Sequence, residues 1–317
     1  MKIGFVFSGQ GAQYIGMGKE LYENISVCRE VFDTGNKILD FNIKELIFNG
    51  KKEDLDITEN TQPAILITSI AAMKAIEEKG INAEVVAGLS LGEYSALVSS
   101  GALDYKEAIG LVRKRGKFMQ EAVPLGVGAM VAIIGLSLEK INEALEKSRD
   151  LGIVEVANFN TSNQIVIGGE RCAVYKAKEL CLEFGAKRAI ELKVSGPFHT
   201  SLLEKASINL KSELDKIEIK KFDKKIISNV TGDFINSRNN VKDLLYKQVK
   251  SSVKWNETIN KMIDYGIDIF IELGPGRVLS SFIKEISREK EVKVNIFNVE
   301  DLKSLNKTLE GIESLNA

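Results

Sequence analysis

Short apolar runs and longer amphipathic stretches alternate along this chain from its first residues, the order expected of an α/β protein with a mainly parallel sheet. Residues 2–7 form the first run and stop at the turn-rich Ser8-Gly9-Gln10-Gly11. Helical spacing follows to about Asn60. Thr61-Gln62-Pro63 is expected to open a helix reaching Lys79, with Pro63 in the first turn, where a missing N–H costs nothing. Gly80 ends it. Residues 84–87 read as a strand, 88–92 as a sharp turn into a helix starting near Leu91, and Asp104 as the cap of a helix to about Ala122.

The texture changes between about Gly126 and Val194. A strand (129–134), a helix opened by Ser137, two strands (153–157 and 164–167) separated by a turn at 158–163, a helix (172–184) and a strand (187–192) follow in order. That β-α-β-β-α-β succession is the ferredoxin-like arrangement. Pro124, Gly126 and Gly128 punctuate one end, and Ser195, Gly196 and Pro197 the other, as two crossings between domains would. The expected organisation is a large α/β domain built from 1–125 and 195–317, with a small domain inserted at 126–194. The large part resumes with a helix after His199, a strand near 226–227, helices around 243–249 and 255–264, a strand at 268–273 and a final strand at 292–297.

Gly88-Leu89-Ser90-Leu91-Gly92 matches G-x-S-x-G between an expected strand and an expected helix, the context that gives this motif its meaning. Such a turn strains the serine backbone, lifts the hydroxyl clear of the sheet, and aims the first N–H groups of the helix at the place where an oxyanion forms. A serine needs a base. The chain has a single histidine, His199, in Ser195-Gly196-Pro197-Phe198-His199, where the chain returns from the insert. It is the expected base, and a multi-histidine metal site is excluded. No Asp or Glu stands out as a third member; a backbone carbonyl can orient the ring instead.

On the helix after the elbow, Ala108, Val112, Arg115 and Met119 share one stripe at about 100° per residue. Arg113, Lys114 and Lys117 point elsewhere, toward solvent. Arg115 is therefore the cation on the face to be buried, and it needs an acceptor. Either an acid elsewhere in the chain supplies it, or a substrate carboxylate does. Gly9-Gln10-Gly11-Ala12-Gln13-Tyr14, with Asp33 about twenty residues on, comes near a dinucleotide fingerprint but carries Tyr14 where the third glycine belongs. Nicotinamide or flavin binding is thereby disfavoured, and the loop is left free to act through its backbone donors.

Charge balance narrows the function further. Against 44 acidic side chains stand 43 basic ones, a formal net charge of -1, which argues against a broad nucleic-acid surface. No apolar run approaches the roughly 20 residues that span a bilayer, and the first residues are too short an apolar stretch for a signal peptide. Cys28, Cys172 and Cys181 are odd in number and unpatterned, as suits a reduced, cytoplasmic chain.

Several segments, in order along essentially the whole chain, resemble the malonyl-CoA:acyl carrier protein transacylase family: Ser8-Gly9-Gln10-Gly11-Ala12-Gln13, the elbow from Gly88 to Tyr94, Arg115-Gly116-Lys117-Phe118-Met119-Gln120, Asn158-Phe159-Asn160, Gly196-Pro197-Phe198-His199, Gln248 with Trp255, and Glu272-Leu273-Gly274-Pro275-Gly276. The resemblance implies a hydrolase-like large domain with a ferredoxin-like insert. It implies Ser90 as the acylated nucleophile, His199 as its base, Arg115 as receptor of the malonyl carboxylate, and Gln10 with the Leu91 N–H as the oxyanion hole. Gln248 would position the histidine through its carbonyl while belonging to the substrate site, and Asn160 would face the cleft from the small domain. Leu89 departs from the family, which often has histidine there. The implied reaction takes malonyl from malonyl-CoA to the phosphopantetheine thiol of holo acyl carrier protein and supplies fatty-acid synthesis. No cofactor or metal is expected beyond the coenzyme A thioester itself, and the chain is expected to be a monomer without nucleic-acid or membrane partners. A serine thioesterase, a trans-acting acyltransferase of polyketide synthesis and an inactive carrier-docking module are the competing readings.

Overall fold

Two five-stranded sheets organise the chain. The structure, a computed structural model, describes residues 1–124, 126–194 and 196–316. In chain order the strands are β1 Ile3–Phe7, β2 Val85–Gly88, β3 Gly128–Ile134, β4 Val154–Thr161, β5 Gln164–Glu170, β6 Arg188–Glu191, β7 Lys225–Ile226, β8 Val253–Lys254, β9 Ile269–Leu273 and β10 Asn295–Val299.

The first sheet has the order β10-β9-β1-β2-β7 and every pairing in it is parallel. Its central strands are buried on both faces, as near-continuous runs such as Phe5-Val6-Phe7 and Val85-Val86-Ala87 demand. The carboxyl ends of β1 and β2 lie side by side, Phe7 opposite Gly88, so the Ser8-Gly9 loop and the Ser90 turn leave the sheet together.

The second sheet has the order β6-β3-β5-β4-β8. Its four strands from the insert are antiparallel and carry the helices Leu138–Glu146 and Arg171–Glu183, the expected ferredoxin-like unit with its own apolar cluster. The fifth strand comes from outside: β8 pairs in parallel with β4 through Asn158↔Val253 and Phe159↔Lys254. The expected junction residues Leu125 and Ser195 lie outside the described residues.

Local departures from the sequence reading have identifiable causes. The helix expected from Thr61 is Thr58–Glu77, so Pro63 sits inside it rather than in its first turn. Proline frees the carbonyl four residues back, and here that carbonyl, Glu59 O, accepts from Arg113 Nη1 at 3.0 Å. Arg113 is accordingly half-buried against this helix, also bonded to Asn60, and does not face solvent. The turn expected at 158–163 shrinks to its end. β4 runs on to Thr161 because register shifts at 156/158 and 159/161 re-aim its side chains without ending the pairing. The last strand begins at Asn295 rather than near 292. Residues 290–292 close the Val278–Glu289 helix, with Val292 N–H on Ser287 O at 2.9 Å and Glu291 at φ 56°. A further helix, Leu302–Asn316, follows β10 where the sequence reading placed none.

Candidate active site

Ser90 sits between β2 and the Gly92–Ser99 helix with φ 54°, a left-handed conformation that a side-chain-bearing residue adopts only when its surroundings insist. The flanking glycines supply the room. A Cβ on Gly88 would stand 1.9 Å from Gly92 C, and one on Gly92 would stand 2.1 Å from Phe7 O. The turn is thus pressed against itself and against β1.

His199 reaches the same point from the other crossing. It too has a left-handed backbone, φ 62°, and is only 4% exposed. Its Nε2 lies 2.7 Å from Ser90 Oγ, and its Nδ1 lies 2.8 Å from Gln248 O. A carbonyl can only accept, so Nδ1 carries the proton and Nε2 presents a lone pair to the serine hydroxyl. Burial, then the nearby Arg115 charge, holds the imidazole pKa down at about 4, which keeps the ring neutral at ordinary pH.

Arg115 projects from the Tyr105–Glu121 helix and is 1% exposed. Its Nη2 donates to Ser90 Oγ at 3.2 Å and to Gln248 Oε1 at 3.0 Å, and its Nη1 donates to Gln62 Oε1 at 2.8 Å. Gly116 allows this close approach, since a Cβ there would lie 2.7 Å from Thr58 O on the neighbouring helix. The guanidinium also stands over the Tyr94 ring, 5.3 Å from its centroid.

A cavity of about 240 Å³ opens over these three side chains, between the carboxyl ends of the first sheet and one face of the second. Gln10, Leu91, Asn160 and Phe282 are among its lining residues. Gln10 is tied to the start of the Thr58–Glu77 helix by Nε2 on Thr58 Oγ1 at 3.1 Å. Leu91 stands at the amino end of the Gly92–Ser99 helix. Asn160, on β4, is 6% exposed with its Oδ1 unpartnered. Leu89 lines the cavity as well.

Against this geometry the comparisons are decisive. Residues 4–305 match the sequence profile of the acyl transferase domain family. The malonyl CoA-acyl carrier protein transacylase of Bacillus subtilis is 48% identical over 288 residues, covering 90% of this chain and 91% of the relative. The chain belongs to the malonyl CoA-acyl carrier protein transacylase family. The crystal structure of the Clostridium perfringens transacylase superposes with a TM-score of 0.95 at 47% identity, covering 100% of this chain and 98% of the other. A solved complex of a malonyl-transacylase with its holo type II PKS acyl-carrier protein aligns at TM-score 0.94 and 38% identity, covering 98% of this chain and 100% of that one.

Within the transacylase framework, Gln248 is fully buried and absent from the cavity wall, so it does not stand where a substrate would meet it. Besides the carbonyl held to His199, its side chain bridges the site: Oε1 accepts from Arg115, and Nε2 donates to Ser90 O at 2.9 Å and Glu93 Oε2 at 2.6 Å. No acid forms an ion pair with Arg115 among the described residues; amide oxygens and the serine hydroxyl accept from it instead.

Sequence reasoning missed Gln62, Glu93 and Asn229. Asn229 accepts from Ser90 N through Oδ1 at 2.6 Å and donates to Gly88 O through Nδ2 at 2.7 Å. Glu93 is wholly buried and accepts from Gln248 and from Asn229 N at 3.2 Å. Burial pushes its pKa up to about 7, against the downward pull of these hydrogen bonds and of Arg115. The available signals were slight: an acid beside Tyr94-Ser95-Ala96-Leu97 in an apolar helix, and an amide beside Pro63 in another.

Proposed function

We propose that this chain, an acyltransferase, carries a malonyl group from malonyl-CoA to the phosphopantetheine thiol of a holo acyl carrier protein, by way of a malonyl ester on Ser90. One observation carries the reading: Ser90 Oγ lies 2.7 Å from a neutral imidazole and 3.2 Å from a buried guanidinium. A neutral base beside the hydroxyl suits nucleophilic attack, and a buried cation beside it suits an acyl chain ending in a carboxylate.

In the first half-reaction Oγ attacks the thioester carbonyl as His199 Nε2 takes the hydroxyl proton. The C–O bond forms, and the carbonyl electron pair moves onto oxygen, where the Leu91 N–H and Gln10 meet it. Collapse breaks the C–S bond, and coenzyme A leaves as a thiol with the proton returned from His199. In the second half-reaction the carrier's thiol loses its proton to His199 and attacks the malonyl ester; the C–S bond forms, the C–O bond to Ser90 breaks, and His199 returns the proton to Oγ. The Gln248 carbonyl holds the Nδ1 proton throughout and so replaces the usual acid. Arg115 binds the malonyl carboxylate, and Asn160 faces the acyl group from the opposite wall. Thioester is exchanged for thioester, so the balance calls for neither ATP nor a metal. We further propose that the chain acts as a monomer in the cytoplasm and supplies fatty-acid synthesis; its three free cysteines suit a reducing compartment, and no helix of the described residues is long and apolar enough to cross a membrane.

The test is intact-mass analysis after mixing with malonyl-CoA, followed by addition of holo carrier protein. A malonyl adduct that maps to Ser90 and disappears as the carrier gains the same mass supports transfer. Free malonate with no gain on the carrier would identify a thioesterase instead.

A further inference from the structure

Arg115 is held almost entirely by neutral groups. Gln62 Oε1 accepts from Nη1 at 2.8 Å, Gln248 Oε1 from Nη2 at 3.0 Å, and Ser90 Oγ from the same Nη2. Glu93, the acid that acts on it electrostatically, stands behind Gln248 and spends Oε2 on Gln248 Nε2 and Asn229 N. His199, on the other side of Ser90, is uncharged. The guanidinium at the floor of the cavity therefore has no acid bonded to it among the described residues, and only the more distant Glu93 carboxyl offsets its charge in part. A buried cation left in this state is costly, and its arrangement is no accident of packing. Gln62 is 1% exposed, and its Nε2 lies 3.5 Å from Met119 Sδ, a weak acceptor that turns the amide so that its oxygen faces Arg115. A glutamate side chain has almost the same shape and would reach the same nitrogen.

We infer that Gln62 is a specificity-determining positioning residue: by holding the Arg115 fork with a neutral acceptor, it orients the guanidinium without consuming the charge that an acyl carboxylate must meet. An acid at this place would orient the fork equally well and neutralise it. Selection for a carboxylated acyl chain over an uncharged one would then be lost although Arg115 remained. Gln248 Oε1 is a neutral acceptor on the same fork, but its amide also donates to Ser90 O and Glu93, which a carboxylate could not do, so Gln62 is the position where the charge can be changed alone. The inference rests on the reading of Arg115 as the carboxylate receptor.

The experiment compares kcat/KM for malonyl-CoA and acetyl-CoA with holo carrier protein as acceptor, in the full chain and in Gln62→Glu, Gln62→Met and Arg115→Ala. In Gln62→Glu the malonyl-to-acetyl ratio is expected to fall at least about 30-fold, the scale of a lost hydrogen bond to a charged group. Gln62→Met keeps the site neutral and the volume similar but gives up the hold on the fork, so its ratio should fall, and by clearly less than in Gln62→Glu. An unchanged ratio in Gln62→Glu overturns the inference. So does a fall in Gln62→Met as large as that in Arg115→Ala, and this second result is readable even if the glutamate variant does not fold. Arg115→Ala separates the two layers: if it leaves the ratio untouched, the carboxylate receptor itself is wrong and Gln62 has nothing to tune.

Discussion

Asn229 grips the nucleophile turn at both ends, its Oδ1 taking the Ser90 N–H at 2.6 Å and its Nδ2 reaching Gly88 O at 2.7 Å. One amide thus replaces the backbone partners that a left-handed residue at a strand end has lost, and it arrives from a segment 139 residues away. Truncation in Asn229→Ala leaves a buried N–H and a buried C=O unpaired. Stability should fall by about 2–3 kcal/mol, and kcat should drop at least about tenfold with KM little changed, because the turn would sample geometries that move Oγ off His199. Steady-state kinetics beside thermal unfolding reads both. A variant with normal kcat and lowered stability would make Asn229 a structural clamp only.

His199 sets the acid limit of activity. Its folded pKa, about 4, lies below the ordinary histidine value of 6.5. The single-turnover rate of Ser90 acylation should therefore hold level from pH 7 down to about pH 5 and fall only as the ring protonates near 4. The unfolded chain binds the extra proton between pH 4 and 6.5, so this group's contribution to stability rises with pH across that window and is lost as pH falls through it. An acid limb centred near 6.5 would contradict the burial argument.

The sign is opposite at Glu93, whose folded pKa of about 7 stands above the ordinary glutamate value of 4.5. The protonated form is favoured in the folded chain, so the cost of the charge appears as pH rises from about 4.5 through 7. In Glu93→Gln the amide oxygen can still accept from Gln248 and Asn229 N. The variant should retain activity and gain stability relative to the unmodified chain as pH increases, by on the order of 1–3 kcal/mol at pH 8. Denaturant midpoints at pH 5 and pH 8 measure the difference. A variant that is equally destabilised at both would show that the charge itself is needed.

Gly92→Ala is predicted to cost more than about 3 kcal/mol, because its Cβ would meet a strand backbone rather than a flexible side chain. Gly110 on the Tyr105–Glu121 helix has nothing within 4 Å of a built Cβ and makes the matched control. Alanine there should leave stability unchanged or slightly raised. Equal effects at the two positions would remove the steric account of the motif.

Much of this was legible in the sequence because it was local. The strand-turn-helix at Ser90, the Asp104 cap and the stripe that buries Arg115 are each written within a few turns of chain, where periodicity and turn chemistry act. The β-α-β-β-α-β insert was legible for the same reason. What escaped is non-local. The start of the Thr58–Glu77 helix depends on Arg113 capturing a carbonyl that Pro63 leaves free. The length of β4 depends on bulges and on a partner almost a hundred residues later. Glu93, Asn229 and Gln62 carry no motif of their own, and each acquires its part from a neighbour that only folding supplies.

The two-residue pairing of β8 with β4 has a mechanical consequence. Ser252 Oγ grips Val156 O at 2.6 Å, four residues beyond the carbonyl that steadies the imidazole. Swinging the insert outward would either tear this short seam or drag the ring's anchor along with it. Acyl donors must thread the gap between the sheets while the catalytic pair stays assembled, and thermal opening of the insert should register as a loss of turnover before it registers as a gain in access.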